Sequence, residues 1–171
     1  MIFLMMLAET ITEIRVHTID AAHCVAQWDR VLIQLWRGEI TRRAAGNLED
    51  IYRAAIARNS TRLSSLAVVE GTSPPPTDVV RTVLADFYAE FGPQLAETLV
   101  VAEGSGFRSA IVRGVGLTLS ALAPKKIPFR FVGTLHDAAR ILEAELGPKG
   151  GGYDGVLAAV EATRARIADL T

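Results

Sequence analysis

A chain of 171 residues suits one domain, and at this length folding removes about 70% of the unfolded surface from water. Half of the residues are hydrophobic, and 18 Lys and Arg stand against 19 Asp and Glu, so the overall field recruits neither nucleic acid nor an anionic membrane. The single cysteine, Cys24, excludes an internal disulfide and fits a reducing compartment, and the apolar opening MIFLMML lacks the basic flank of an export signal. No run reaches the ~20 apolar residues of a membrane-spanning helix, so the expectation is a soluble, cytoplasmic protein.

From Glu13 to Ile19, Ile14 and Val16 alternate with Arg15 and His17, the pattern of a half-exposed strand. His23 to Trp28 and Val31 to Trp36 flank the short connection Asp29-Arg30, which predicts an antiparallel hairpin. In that hairpin the adjacent His23 and Cys24 project to opposite faces, and neither they nor His17 and His136 show metal-ligand spacing.

Thr41 is placed to cap a helix whose apolar residues Leu48, Ile51, Tyr52, Ala55 and Ile56 recur at helical spacing. Leu63 to Val69 is an apolar strand, and the three prolines of EGTSPPPT forbid helix until Thr77 caps the next one, with Val80, Val83, Leu84, Phe87 and Phe91 as its stripe. Leu99 to Ala102 reads as a strand covered on both faces, the central strand of the chain. After it Gly104 and Gly106 permit a tight reversal, with Ser105 or Gly106 as N-cap.

The helix that follows carries small residues at Ala110, Gly114, Thr118 and Ala121, a flat face, and Gly114 and Gly116 each cost about 1 kcal/mol relative to alanine. Close packing on the sheet or on a partner is expected to offset that cost. Ile127 to Val132 is expected as an outer strand, because Pro128 cannot donate to a ladder. Thr134 then opens a helix with Leu135, Ala138, Ala139, Leu142 and Leu146 inward, and Gly147-Pro148 closes it.

Residues 1–146 are therefore read as one α/β domain, with 147–155 as a glycine-rich linker and 156–171 as a C-terminal amphipathic helix. Val156, Val160, Thr163, Ile167 and Leu170 repeat at steps of four and three, so this helix must dock, either on its own domain or on a second copy of the chain.

Three strand-helix-strand crossovers joined to a hairpin predict a mixed, mostly parallel sheet with flanking helices. Loops leaving the carboxyl ends of parallel strands share one edge, where ligands usually bind. That edge should gather Arg37 to Arg43, Glu70 to Thr77, Glu103 to Phe107, and Gly133 with Thr134. The candidate binding residues there are Arg42, Arg43, Ser73, Thr77, Gly104, Ser105 and Gly106. Cations in a first helical turn oppose the helix dipole, so Arg42 and Arg43 call for an acidic or phosphorylated partner, or extend into water. Glu70 and Glu103, each following an apolar strand, could face each other and raise each other's proton affinity.

Two motifs fall short. Gly104, Gly106 and Ser109 outline a dinucleotide fingerprint, but the following strand FRF ends without the acid that would hold a ribose hydroxyl. Ser105 lacks the first glycine of a nucleophile elbow, since Glu103 stands there. No catalytic residue, metal or cofactor is assigned.

The element order from His23 to Leu146, the segment VLIQLWRGEIT entering the first helix, and the strand-loop-helix from Leu63 to Phe91 resemble the STAS domain, the anti-sigma-factor-antagonist type of regulatory module. The resemblance implies a non-enzymatic regulatory domain that binds a protein partner through its loops. Some relatives are labelled STAS/SEC14-like, which implies a small-ligand alternative, nucleotide or lipid. In that family a serine opening the second helix, within an Asp-Ser-Gly type motif, is phosphorylated. Here the segment is EGTSPPPTD, so the phosphoacceptor does not transfer, and only Ser73 and Thr77 are nearby hydroxyls.

Overall fold

The structure is a computed structural model that describes residues 13–104, 106–122, 129–147 and 151–171. Six strands form one sheet in sequential order: β1 (Arg15–Ile19), β2 (His23–Trp28), β3 (Val31–Trp36), β4 (Ser64–Val69), β5 (Thr98–Ala102) and β6 (Arg130–Val132). The first three pair antiparallel and the rest parallel. The helices are α1 (Arg42–Arg58), α2 (Asp78–Phe91), α3 (Gly106–Leu122), α4 (Leu135–Leu146) and α5 (Gly152–Ala168). The fold is α/β, as the order of patterns predicts.

The β2–β3 hairpin turns on two residues, and Asp29 takes the left-handed φ of 48° that lets so short a turn follow the strands' twist. In β1 the register slips between Val16 and Thr18, leaving His17 as the extra residue. This bulge turns Ile19 toward the same side as Val16, although three positions separate them, and both pack on one core cluster.

Each parallel crossover steps one strand in the same direction. Connections of one hand must then lie on one face. Accordingly α1, α2 and α3 cover a single face, with Leu48, Tyr52, Leu84, Phe87, Phe91 and Leu119 buried against Leu32 and Trp36. The opposite face is closed by α4 and α5, where Ala138, Leu142, Val156, Val160 and Ile167 meet Ile33, Leu35, Leu66, Val68, Leu99 and Val101. Both faces of β3, β4 and β5 are therefore covered, which is why these strands are buried almost throughout and mostly apolar, with Gln34, Ser64, Ser65 and Thr98 as their buried polar residues.

The C-terminal stripe docks on this chain's own sheet: Val160, Thr163 and Ile167 are fully buried, whereas Leu170, beyond the helix, is exposed. Its helix begins at Gly152, four residues before the stripe. Arg30 donates to the Leu146 carbonyl at the C-terminal end of α4 at 2.7 Å.

The small-residue face of α3 points outward instead of inward, since Ala110, Gly114, Thr118 and Ala121 are all exposed. The two helix glycines behave differently. A Cβ at Gly116 would stand 2.1 Å from the Phe131 ring, so this glycine lets α3 settle on β6, while a Cβ at Gly114 would meet nothing within 4 Å. The expected close packing holds at Gly116 and not at Gly114. Pro128, invoked for the outer strand, lies outside the described residues, and β6 is an edge strand of three residues.

Candidate functional site

Strands β3 to β6 run parallel and end at Trp36, Val69, Ala102 and Val132, so the loops that follow them share one rim. Three of the helices leaving it are capped by threonine hydroxyls: Thr41 accepts from the Ala44 amide at 3.1 Å, Thr77 from Val80 at 3.4 Å and Thr134 from Asp137 at 3.1 Å.

The loops are stitched to one another. Ser73 Oγ donates to the Gly38 carbonyl at 2.8 Å and Thr72 Oγ1 to the Arg37 carbonyl at 2.6 Å, while the amides of Arg37 and Gly38 donate to Ala22 at 2.8 and 2.9 Å. A Cβ on Gly71 would lie 3.7 Å from the Gly104 Cα, so the β4–α2 and β5–α3 loops touch.

Most of the candidate residues gather on this rim, in different states. Arg42 and Arg43 are exposed in the first turn of α1. Ser73 is buried and ties the proline loop to the β3–α1 loop. Thr77 is exposed at the N-cap of α2. Gly104 is exposed with φ 116°, a backbone state that glycine adopts without strain, and Gly106 is the first residue of α3. Ser105 lies outside the described residues.

The rim also carries an ionic cluster built from residues far apart in the sequence. Arg37 Nε donates to Glu70 Oε2 at 2.7 Å and its Nη2 to Oε1 at 3.3 Å. From α5, Arg164 bridges Glu70 and Glu103 with its two terminal nitrogens and donates through Nε to Glu161 at 3.0 Å.

Burial alone would raise the pKa of Glu70. The hydrogen bonds and charges of Arg37 and Arg164 outweigh it and hold the carboxyl below its ordinary value. The expectation that Glu70 and Glu103 raise each other's proton affinity is therefore corrected for Glu70: a guanidinium stands between the two acids. Nothing near Glu70 in the sequence announces this, because Arg164 lies 94 positions away.

Beside the rim, on the α1–α3 face, lies a cavity of about 90 Å³. Its floor is Trp36, Ala67, Val69, Val100 and Phe131 from four adjacent strands, its roof Leu84 and Tyr88 from α2 with Val112, Val115 and Leu119 from α3. Pro74, Pro75 and Pro76 form one wall together with Ile40.

A buried polar network borders the floor. The fully buried Gln34 donates to the Tyr52 hydroxyl at 2.7 Å and to Ser65 Oγ at 3.5 Å, and its Oε1 accepts from Trp36 Nε1 at 3.3 Å. Tyr52 and Ser65 hydroxyls lie 2.6 Å apart. Burial pushes the Tyr52 phenol up to about 12, so it stays a neutral member of this network.

The remaining chemistry-bearing residues stand apart. His23 stacks on Trp36 and bonds Asp20 Oδ1 at 2.9 Å, whereas Cys24, on the opposite face, is buried with its thiol pushed up to about 11. His136 stacks on Tyr153 at the start of α5. Among the described residues no three His, Cys, Asp or Glu side chains come together as a metal site, and no helix is long and apolar enough to cross a membrane. Comparison with protein-family models, with curated proteins and with solved structures gives no match.

Proposed function

We infer that this chain is a non-enzymatic regulatory domain of the STAS-like type, acting in the cytoplasm and binding an acidic or phosphorylated protein partner through the rim at the carboxyl ends of β3 to β6. The supporting observation is the division among the rim's arginines. Arg37 and Arg164 are neutralised by Glu70, Glu103 and Glu161. Arg42 and Arg43 are exposed, the first turn of α1 holds no acid, and among the described residues neither forms an ion pair. Two cations at the positive end of a helix are unfavourable by up to about 1 kcal/mol each, and an anionic partner removes that cost. The stitched loops hold this surface in shape before the partner arrives, so little ordering entropy is lost on binding.

The test is affinity capture from native cells on immobilised protein, with wild type beside the Arg42→Ala/Arg43→Ala pair. The pair should melt at the wild-type temperature and retain the partner at least about tenfold less, with retention falling as salt rises. Equal capture by both proteins overturns the reading.

A further inference from the structure

We propose that the cavity between the sheet and the α2–α3 roof is a binding site for a short, uncharged hydrocarbon chain, entering beneath Pro74–Pro76. Chemistry and size carry the inference. The lining is chiefly aliphatic and aromatic carbon; of its polar side chains, Gln34 is engaged at both ends by Tyr52, Ser65 and Trp36, Ser73 donates to the Gly38 carbonyl, and Tyr88 contributes a phenol. A charged group entering here would lose its hydration without gaining a counter-charge, since among the described residues the lining holds no Asp, Glu, His, Lys or Arg. A hydrocarbon loses nothing comparable and covers apolar surface.

The volume, about 90 Å³, is smaller than the ~150 Å³ apolar cavity that holds benzene. The fit is thus to the last few carbons of a chain, the remainder of which stays in the mouth of the cavity. The roof is also seated so as to leave the space open. Gly116 brings α3 down onto Phe131, while Val112, Val115 and Leu119 stand over the floor at Ala67 and Val100. This inference is independent of partner binding at Arg42 and Arg43, which lie outside the walls.

The experiment is a titration of the full chain with 1-hexanol and, separately, hexanoate, followed by methyl chemical shifts and by melting temperature. Hexanol should give saturable shifts confined to Val69, Val112, Val115 and Leu119 and a melting temperature that rises with concentration. Hexanoate should bind at least about tenfold more weakly. Val115→Phe, which fills the space from the roof, should lose at least about tenfold in hexanol affinity, and Ala67→Leu, which fills it from the floor, gives the same reading if the first variant fails to fold.

The Arg42→Ala/Arg43→Ala pair should bind hexanol like wild type. Shifts scattered over the surface or linear in concentration, equal binding by a folded cavity-filling variant, or hexanoate binding as tightly as hexanol would each overturn the proposal.

Discussion

The two faces of the sheet are built from the same strands and solve different problems. On the α4–α5 face the strands present Ile33, Leu35, Leu66, Val68, Leu99 and Val101, all at most 1% exposed, against small or aliphatic helix residues. The α1–α3 face holds bulky rings, a buried amide–hydroxyl network and a cavity. The α4–α5 face interdigitates at native density, whereas on the α1–α3 face the packing leaves one space open beneath the proline loop. Both faces bury a core, and the α1–α3 face carries in addition the features that can recognise something.

The largest test of that division is to end the chain at Gly147. Loss of α5 exposes the strand residues now covered by Val156, Val160 and Ile167, each contributing about 1.5–3 kcal/mol of burial. The shortened chain should lose its cooperative melt by circular dichroism and aggregate; a wild-type melt would show that the α4–α5 face does not hold the fold.

Next in size, Leu142→Ala on that filled face should cost about 3–5 kcal/mol in urea unfolding. Leu119→Ala, beside an existing cavity, should cost about 2 kcal/mol or less, because fewer contacts are lost there. Equal losses would erase the contrast.

The helix glycines sharpen it further. Gly116→Ala forces α3 and Phe131 apart and should destabilise by about 1–3 kcal/mol, while Gly114→Ala, facing open space, should stabilise by about 0.5–1 kcal/mol. Thermal melts of the two variants shifting in the same direction would contradict the seating of α3.

The smallest effect is in pH. Glu70 has a folded pKa below its ordinary value of 4.5, so the unfolded chain binds the proton more readily. Its contribution is present above pH ~4.5 and is lost as pH falls through the lower folded value. Urea unfolding from pH 6 to pH 3 should show a shallower acid decline for Glu70→Gln than for wild type. Identical slopes would remove Glu70 from the ionic cluster that joins α5 to the rim.

Much of the architecture was legible because local pattern and tertiary role agree. Thr41, Thr77 and Thr134 all cap the helices their positions announce, and the buried stripes of α1, α2 and α4 follow their periodicity. The outward small-residue face of α3 was not legible. Periodicity shows that Ala110, Gly114, Thr118 and Ala121 share a face but cannot say which way it turns, and the opposite side carries the larger residues Val112, Val115 and Leu119 that reach the sheet. The rim was legible as a set of loops, from strand order alone. Its wiring was not, because Arg164 meets Glu70 and Glu103 only after α5 has crossed the sheet.

The amino-acid sequence by itself determined the elements, their order and the common edge of the parallel strands' loops, since these follow from residue spacing, capping chemistry and the fixed hand of crossovers. The tertiary structure alone decided the role of the C-terminal helix, the pairing of the rim's charges and the cavity beneath the proline loop. Each depends on side chains from distant segments meeting at atomic range, and that proximity exists only once the sheet has closed between its two helical layers.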